Sequence, residues 1–517
     1  MGLTSNSLAN AVGVGAKNVA FKPSASVLAR KIGVVGSYDP ALTSVIPDVP
    51  VLVTSPEDAG AKFGFGFMLH RLCLGVFKGS KGQVPVYCVP RAEGNSAVQA
   101  EGTVTFTGPA SASGVYSLYI GGDKVSINVA KSATATDVAG LLAAAINANP
   151  LLPVTATSAL GVTTITVKSG GTWGNSVYLA DLLDSADAIP AGITAVIVDI
   201  DGGADTPATM AATLAAAFGT GDSANSLGIT DLTHGYGATS QDITDIAEYV
   251  GLGDDFTGLY DKLCARPFRC LIGRDSSLTS TQSFVSTRTL DRANGFLMVP
   301  EVNNHQAELG AQGLGIIARI NNVIAEGSYE GQPLEGVIWR TPAQNIWTKD
   351  YTARDAAVKS GLSPTKYDGS ALVLTNVVTF YRPDSIPVES NGYRSMRNIS
   401  ITQNILAATK ATFSAESWRG ISIVADVKKV KAAASRQKAR DIAAVLDALV
   451  GLIGDFEGNA WIYAAAPALA ALKTAGSVTL RQGGTGFDSV LKLYYSGEGG
   501  ILNTDVLFDI NIAAITA

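Results

Sequence analysis

Phe268-Arg269-Cys270-Leu271-Ile272 and Gly295-Phe296-Leu297-Met298-Val299-Pro300 are short apolar runs of strand length. Thr281 to Ala293 predicts a helix between them, and Gln306 to Ile320 predicts another after the second run. Upstream, Ile243, Ile246, Ala247 and Val250 keep helical spacing. Strands alternating with helices over 206–342 imply a parallel sheet covered by helices. That alternation makes the centre of the chain an α/β domain.

Toward the N-terminus, Ile32-Gly33-Val34-Val35 and Val84-Pro85-Val86-Tyr87-Cys88-Val89 read as further strands. The segment between them, Ala59 to Phe77, has helical character broken by glycines. Residues 28–95 therefore read as the first part of the same core. Residues 96–205 differ. Thr103–Thr107, Tyr116–Ile120, Lys124–Val129 and Thr163–Val167 are β-rich runs separated by turn glycines. One helix interrupts them: Thr134 and Asp137 form a capping box, Val138, Leu141, Leu142 and Ile146 share a face, and Pro150 follows. This predicts a compact, β-rich inserted module.

Residues 343–500 read as α+β. Leu372 to Tyr381 predicts a long strand, and a helix is expected from Ser435 through Ile442, Val445, Leu446, Leu449, Ile453 and Phe456. Between Arg394 and Arg440 stand ten basic residues against two acidic ones, Glu416 and Asp426. Lys428, Lys429, Lys431, Arg436, Lys438 and Arg440 make this stretch a positive face, which is either simply solvated or meets an acidic partner.

Both ends look extended. In Val506-Leu507-Phe508-Asp509-Ile510-Asn511-Ile512, residues Val506, Phe508, Ile510 and Ile512 alternate onto one face, behind the glycine-rich run Ser496–Gly500. At the other end, Val12-Gly13-Val14 and Val19-Ala20-Phe21 are short alternating pieces. The charges before Asp39 are all basic (Lys17, Lys22, Arg30, Lys31), and those after Lys492 are all acidic (Glu498, Asp505, Asp509). Such a strand either closes the chain's own sheet or docks on another molecule. The expected division is an N-terminal arm (1–27), first core part (28–95), inserted module (96–205), central α/β domain (206–342), C-terminal α+β domain (343–500) and C-terminal arm (501–517).

The chain has 517 residues, 47% hydrophobic and only 16% charged, with 55 glycines. About a quarter charged is usual, so much of the surface is expected to be covered by neighbours. A net charge of −6 argues against a nucleic-acid binder. No apolar run is long enough to cross a membrane, and the N-terminus has no signal-peptide core, so a cytoplasmic chain is expected. Cys73, Cys88, Cys264 and Cys270 show no metal or disulfide spacing and are expected as buried thiols.

Catalytic signatures are sparse. His70, His234 and His305 share no metal motif, and there is no phosphate loop or nucleophile elbow. Gly64-Phe65-Gly66 and Gly483–Gly486 read as turns. Asp199, Asp201 and Asp205 suggest a calcium loop, but its twelfth position is Met210, where the bidentate carboxylate belongs. An acidic turn is the simpler reading. No cofactor or metal is expected. A hydrolase centred on His234 stays as the alternative, because triads assemble in space. A virion surface or decoration protein is a further alternative, which the Thr/Ser-rich module alone would permit.

Gly336-Val337-Ile338-Trp339, Asn376 to Arg382, and Tyr393-Arg394-Ser395-Met396-Arg397-Asn398-Ile399 resemble the C-terminal part of contractile-tail sheath proteins, above all the Mu-like phage family. Gly114 to Gly122, Lys124 to Ile127 and the helix at 136–148 resemble that family's β-rich insertion. The resemblance implies a structural, non-enzymatic subunit whose central domain is subtilisin-like in shape. It implies self-assembly into stacked hexameric rings around a tail tube protein, with baseplate and tail terminator proteins as further partners. Both arms would add strands to a neighbour's C-terminal domain. Contraction would drive the tube through the host envelope, with the sheath part of a virion assembled in the host cytoplasm. The basic stretch would then face the tube.

Overall fold

The structure is a computed structural model that describes residues 27–237, 240–253, 255–383, 392–481 and 485–497. The core begins with β1 (Ile32–Gly36), β2 (Val51–Val53), α1 (Pro56–Phe63), α2 (Met68–Ser80) and β3 (Val86–Pro90). An inserted region follows: β4 (Gln99–Thr107), β5 (Gly114–Ile120), β6 (Asp123–Val129), α3 (Ala135–Asn147), β7 (Val154–Ala159), β8 (Val162–Gly170), β9 (Leu179–Asp181) and β10 (Thr194–Asp201). The core resumes with α4 (Met210–Phe218), β11 (Asp231–His234), α5 (Ser240–Val250), β12 (Arg269–Arg274), α6 (Leu278–Val285), β13 (Asn294–Met298) and α7 (Gln306–Asn321). Then come β14 (Pro333–Leu334), α8 (Tyr351–Lys359), β15 (Ser363–Tyr367) and β16 (Leu372–Leu374). The last part holds α9 (Met396–Ser414), β17 (Ser422–Ile423), α10 (Ala433–Lys438), β18 (Ala439–Arg440), α11 (Ile442–Gly458), α12 (Ala465–Leu472), β19 (Val478–Leu480) and β20 (Phe487–Ser489).

A nine-stranded sheet runs β14-β16-β15-β13-β12-β11-β1-β3-β2. From β3 to β15 neighbouring strands are parallel, and β2, β16 and β14 pair antiparallel at the two margins. Side chains alternate between faces, as a strand requires. Ile32, Val34, Leu271 and Leu297 enter one apolar core with α2 and α7. Val35, Ile272, Phe296 and Met298 enter the other with α4 and α5. Both faces are covered, so these strands read as continuous apolar runs. α2 lies very close to α7. A Cβ on Gly75 would stand 2.3 Å from the Glu308 carbonyl oxygen, and one on Gly79 would stand 2.0 Å from that of Gln312.

The inserted region folds as a four-stranded sheet, β10-β4-β8-β7, and a three-stranded one, β6-β5-β9, with α3 packed among them. The expected capping box is present: Thr134 Oγ1 accepts from Asp137 N, and Asp137 accepts from Thr134 N. Val138, Leu142 and Ile146 are buried as expected, whereas Leu141 is 43% exposed. It falls one turn-edge away from the apolar stripe. Arg71 of α2 bolts this region to the core, pairing with Glu308 at 2.6 Å and with Asp123 of β6 at 2.7 Å.

Three expected elements come out shorter. The helix expected over 281–293 ends at Val285, because no apolar face follows: Leu290 is exposed, and Asp291 instead accepts from Ala293 N and Asn294 N in a turn. The strand expected over 372–381 stops at Leu374. Its remaining apolar residues are buried in an irregular path beneath β13, where Phe380 N donates to Asn294 O and Thr379 N to Arg394 O. The helix expected from Ser435 is split, because Arg440 is paired in a strand with β17 and Asp441 caps α11 by accepting from Ala444 N. β15 and β16 join the central sheet, so that sheet continues past residue 342. All four cysteines are buried and free.

Candidate assembly surfaces

α9 is the joint between the central sheet and the last part of the chain. Ser395 caps it, accepting from Arg397 N at 3.2 Å. The first half is fixed to the N-terminal ends of β11 and β12. Arg269 donates to Met396 O at 2.6 Å and is paired with Asp231 at 2.6 Å, with both side chains fully buried. Gln403 donates to Thr230 O and Pro267 O, each at 2.9 Å. Burial opposes the Arg269 charge, but Asp231 and then Tyr329 outweigh it and leave its pKa raised. Ile405, Ala408 and Phe413 of the second half pack on a separate apolar core with Val445, Leu449, Phe456 and Trp461.

The first and last described segments both attach to this helix. Leu28 N donates to Asn404 Oδ1 at 2.6 Å, and Arg30 N to Asn322 Oδ1 at 2.9 Å. The Arg30 guanidinium is fully buried and donates to Gln403 Oε1, Ser400 Oγ and the carbonyl oxygen of Asn321. Burial lowers its pKa to about 10, with Asp231 working against that shift. At the other end, Arg397 donates to Ser496 O at 2.7 Å and to Ser496 Oγ at 2.9 Å, and its Nε donates to Glu326 O at 2.6 Å. The Tyr495 hydroxyl and Thr402 Oγ1 are 2.8 Å apart. The arm residues Val12, Val14, Val19, Phe21, Val506, Phe508, Ile510 and Ile512 lie outside the described residues.

Beyond α9 stand two very small sheets. β17 and β18 pair parallel over two residues each, and β19 and β20 pair antiparallel over three. Among the described residues neither sheet has a third strand, and an unpaired strand edge is a template for one. A groove lies between them, lined by Ile423, Val424, Ile442, Leu480 and Phe487. Leu480 is 49% exposed and Ile442 41%.

The basic stretch borders that groove and is not one helix. It runs through a 3₁₀ turn at Val427–Lys429, then α10 and β18. Lys428, Lys429, Lys431, Arg436 and Lys438 are exposed. Arg436 donates to Val430 O, Lys438 to Glu416 O, and Arg440 to Ser417 O while lying over the Trp418 ring. These three cations hold the local loop together. Lys428, Lys429 and Lys431 make no ion pair among the described residues.

The carboxyl ends of the parallel strands, where open α/β sheets usually take ligands, are occupied by the inserted region. Trp173 stacks on His305 at 4.3 Å, and His305 Nε2 lies 3.0 Å from Trp173 O. His234 ends β11 in full burial, and neither ring nitrogen has a hydrogen-bond partner among the described residues. Burial, helped by Arg91 against an opposing Asp242, lowers its pKa to about 4. No serine among the described residues is hydrogen-bonded to it. Asp199 and Asp201 lie exposed on β10 rather than in a turn, while Asp205 accepts from Gly94 N at 2.8 Å. Among the described residues no group of three His, Cys, Asp or Glu side chains is placed to hold a metal. No described helix is long and apolar enough to cross a membrane.

The clamp on α9 is the feature that sequence reasoning missed. Its signal was the motif Tyr393–Ile399, read only as a family likeness. Over 157 residues the chain is 34% identical to the Mu-like prophage FluMu tail sheath protein of Haemophilus influenzae. This chain is similar to a tail sheath protein. The match spans 30% of the chain and about a third (32%) of that relative. The resemblance to Mu-like tail sheaths therefore has a curated relative of that name. No protein-family model matches. Two solved structures align at 10% identity each. One is a sheath tail protein from Desulfitobacterium hafniense (TM-score 0.40, covering 86% of this chain and 90% of that one). The other is the helical sheath of the anti-feeding prophage in its contracted state (TM-score 0.41, covering 98% and 100%).

Proposed function

We propose that this chain is the structural subunit of a contractile tail sheath, with no catalytic role, that polymerises around a tail tube and contracts to drive the tube through a host envelope. The similarity to a Mu-like tail sheath protein carries this reading. Its partners would be further copies in stacked hexameric rings, the tail tube protein, and baseplate and terminator proteins. It would reside in the virion after assembly in the host cytoplasm. Residues 96–205 would form the outer module and the part beyond α9 the assembly domain.

Strand addition is the physical basis of the mesh. An incoming arm strand gains main-chain hydrogen bonds at an open sheet edge, while its alternating side chains set the register. The edges of β17 and β19, with the apolar groove between them, suit the faces Val506, Phe508, Ile510, Ile512 and Val12, Val14, Val19, Phe21. Lys428, Lys429 and Lys431 are the cations left for a tube contact. Exposed charge contacts contribute about 0–1 kcal/mol each, which suits a contact that contraction must break. Electron microscopy of the purified protein tests the reading: tubes or rings are expected, and a dispersed monomer at high concentration would contradict it.

A further inference from the structure

We infer that α9 is a shared anchor for both terminal segments, with Arg397 and Asn404 as the residues that position them. The inference rests on the sheath reading and adds a route for force within one subunit.

The root of the N-terminal segment is held at Asn404 and that of the C-terminal segment at Arg397. These positions are seven residues apart on one helix, about 10 Å along its axis at about 1.5 Å per residue. The grips are strong for their size. Arg397 is 5% exposed and holds the carbonyl and hydroxyl oxygens of Ser496 together. Both are charge-assisted bonds, which are stronger than bonds between neutral groups. Arg30 reaches Ser400 and Gln403, on the turn between the two roots. Arg269 and Gln403 tie the same helix to the first residues of β11 and β12.

A pull on one arm is therefore passed to the other through a short, hydrogen-bonded rod. It does not have to cross the small sheets, whose strands are only two or three residues long. The central sheet rides on that rod and moves when the rod moves. Arms could stay paired while bodies rotate, because the joint that transmits the motion lies inside each subunit.

The test is a pair of substitutions in two backgrounds. Arg397→Ala is made in the full chain and in a chain lacking 503–517, and the protein concentration needed for polymerisation is read by sedimentation. A loosened root should raise that concentration about tenfold in the full chain, the equivalent of one lost charge-assisted bond, and leave the truncated chain unchanged. An unchanged full chain, or an equal change in both backgrounds, would overturn the anchor. Truncation that leaves polymerisation unaffected would instead remove the arms, and the anchor with them. Where Arg397→Ala lowers folding, Ser496→Ala serves as the milder variant, with a smaller change in the same direction expected. Asn404→Ala should act likewise in the full chain and lose its effect in a chain lacking 1–22.

Discussion

The central sheet and the small sheets beyond α9 contain similar residues and are finished differently. Phe296 and Leu297 of β13 are buried on opposite faces, and antiparallel strands close both margins of the sheet. Leu480 of β19 is half exposed, and its sheet has two strands among the described residues. An edge with free main-chain groups beside apolar side chains is a liability unless something covers it. The first region has both faces covered within the chain and ends in short antiparallel strands, whereas the second, on the proposed reading, takes a strand from a partner. Assembly free energy on this account is held in the least self-sufficient part of the molecule.

The two regions should differ most in the cost of truncating their apolar side chains. Phe296→Ala should cost about 3–5 kcal/mol, the range for a fully buried aromatic, read as a lowered denaturation midpoint. Leu480→Ala should cost at most about 1 kcal/mol in the isolated subunit, because half its side chain is already in water, yet weaken polymerisation. Equal losses of subunit stability at the two sites would erase the distinction. Gly79→Ala should cost about 1–3 kcal/mol, since its Cβ meets the Gln312 carbonyl.

Smaller effects sharpen the contrast. Asp441→Ala removes the cap that separates β18 from α11 and should cost about 1 kcal/mol, checked by urea unfolding. Its more telling readout is polymerisation, because the cap borders the groove. His234 supplies a pH test within the core. Its folded pKa is depressed to about 4 from an ordinary 6.5, so the folded state keeps it neutral while the unfolded state takes a proton. The stability linked to it is full above about pH 6.5 and falls as pH drops toward 4. His234→Phe keeps the stacking partner of Tyr236 and should lose less thermal stability than the parent over that window. An identical pH profile would show that His234 does not titrate as burial requires.

Much of the fold was legible because the central strands are buried on both faces. A continuous run such as Phe268–Ile272 has no other good solution between helical segments. The capping box at Thr134 and Asp137 was equally plain, since its partners are three residues apart. The α9 clamp was not. Arg30, Arg269 and Arg397 look like surface cations in sequence, and their burial follows from acceptors far along the chain, as in Arg30 to Gln403. The small strands were missed because two or three residues carry no readable period. Lys428, Lys429, Lys431, Arg436 and Lys438 are exposed, but the helix expected from Ser435 is broken, because the pairing of Arg440 with β17 is invisible locally.

On the proposed reading, the region beyond α9 is completed by a strand from another copy. Deleting 503–517 and measuring sedimentation of the purified protein tests it most directly. The truncated subunit should stay folded, with an unchanged thermal midpoint, and no longer polymerise at concentrations where the full chain does. Normal polymers from the truncated chain would contradict it.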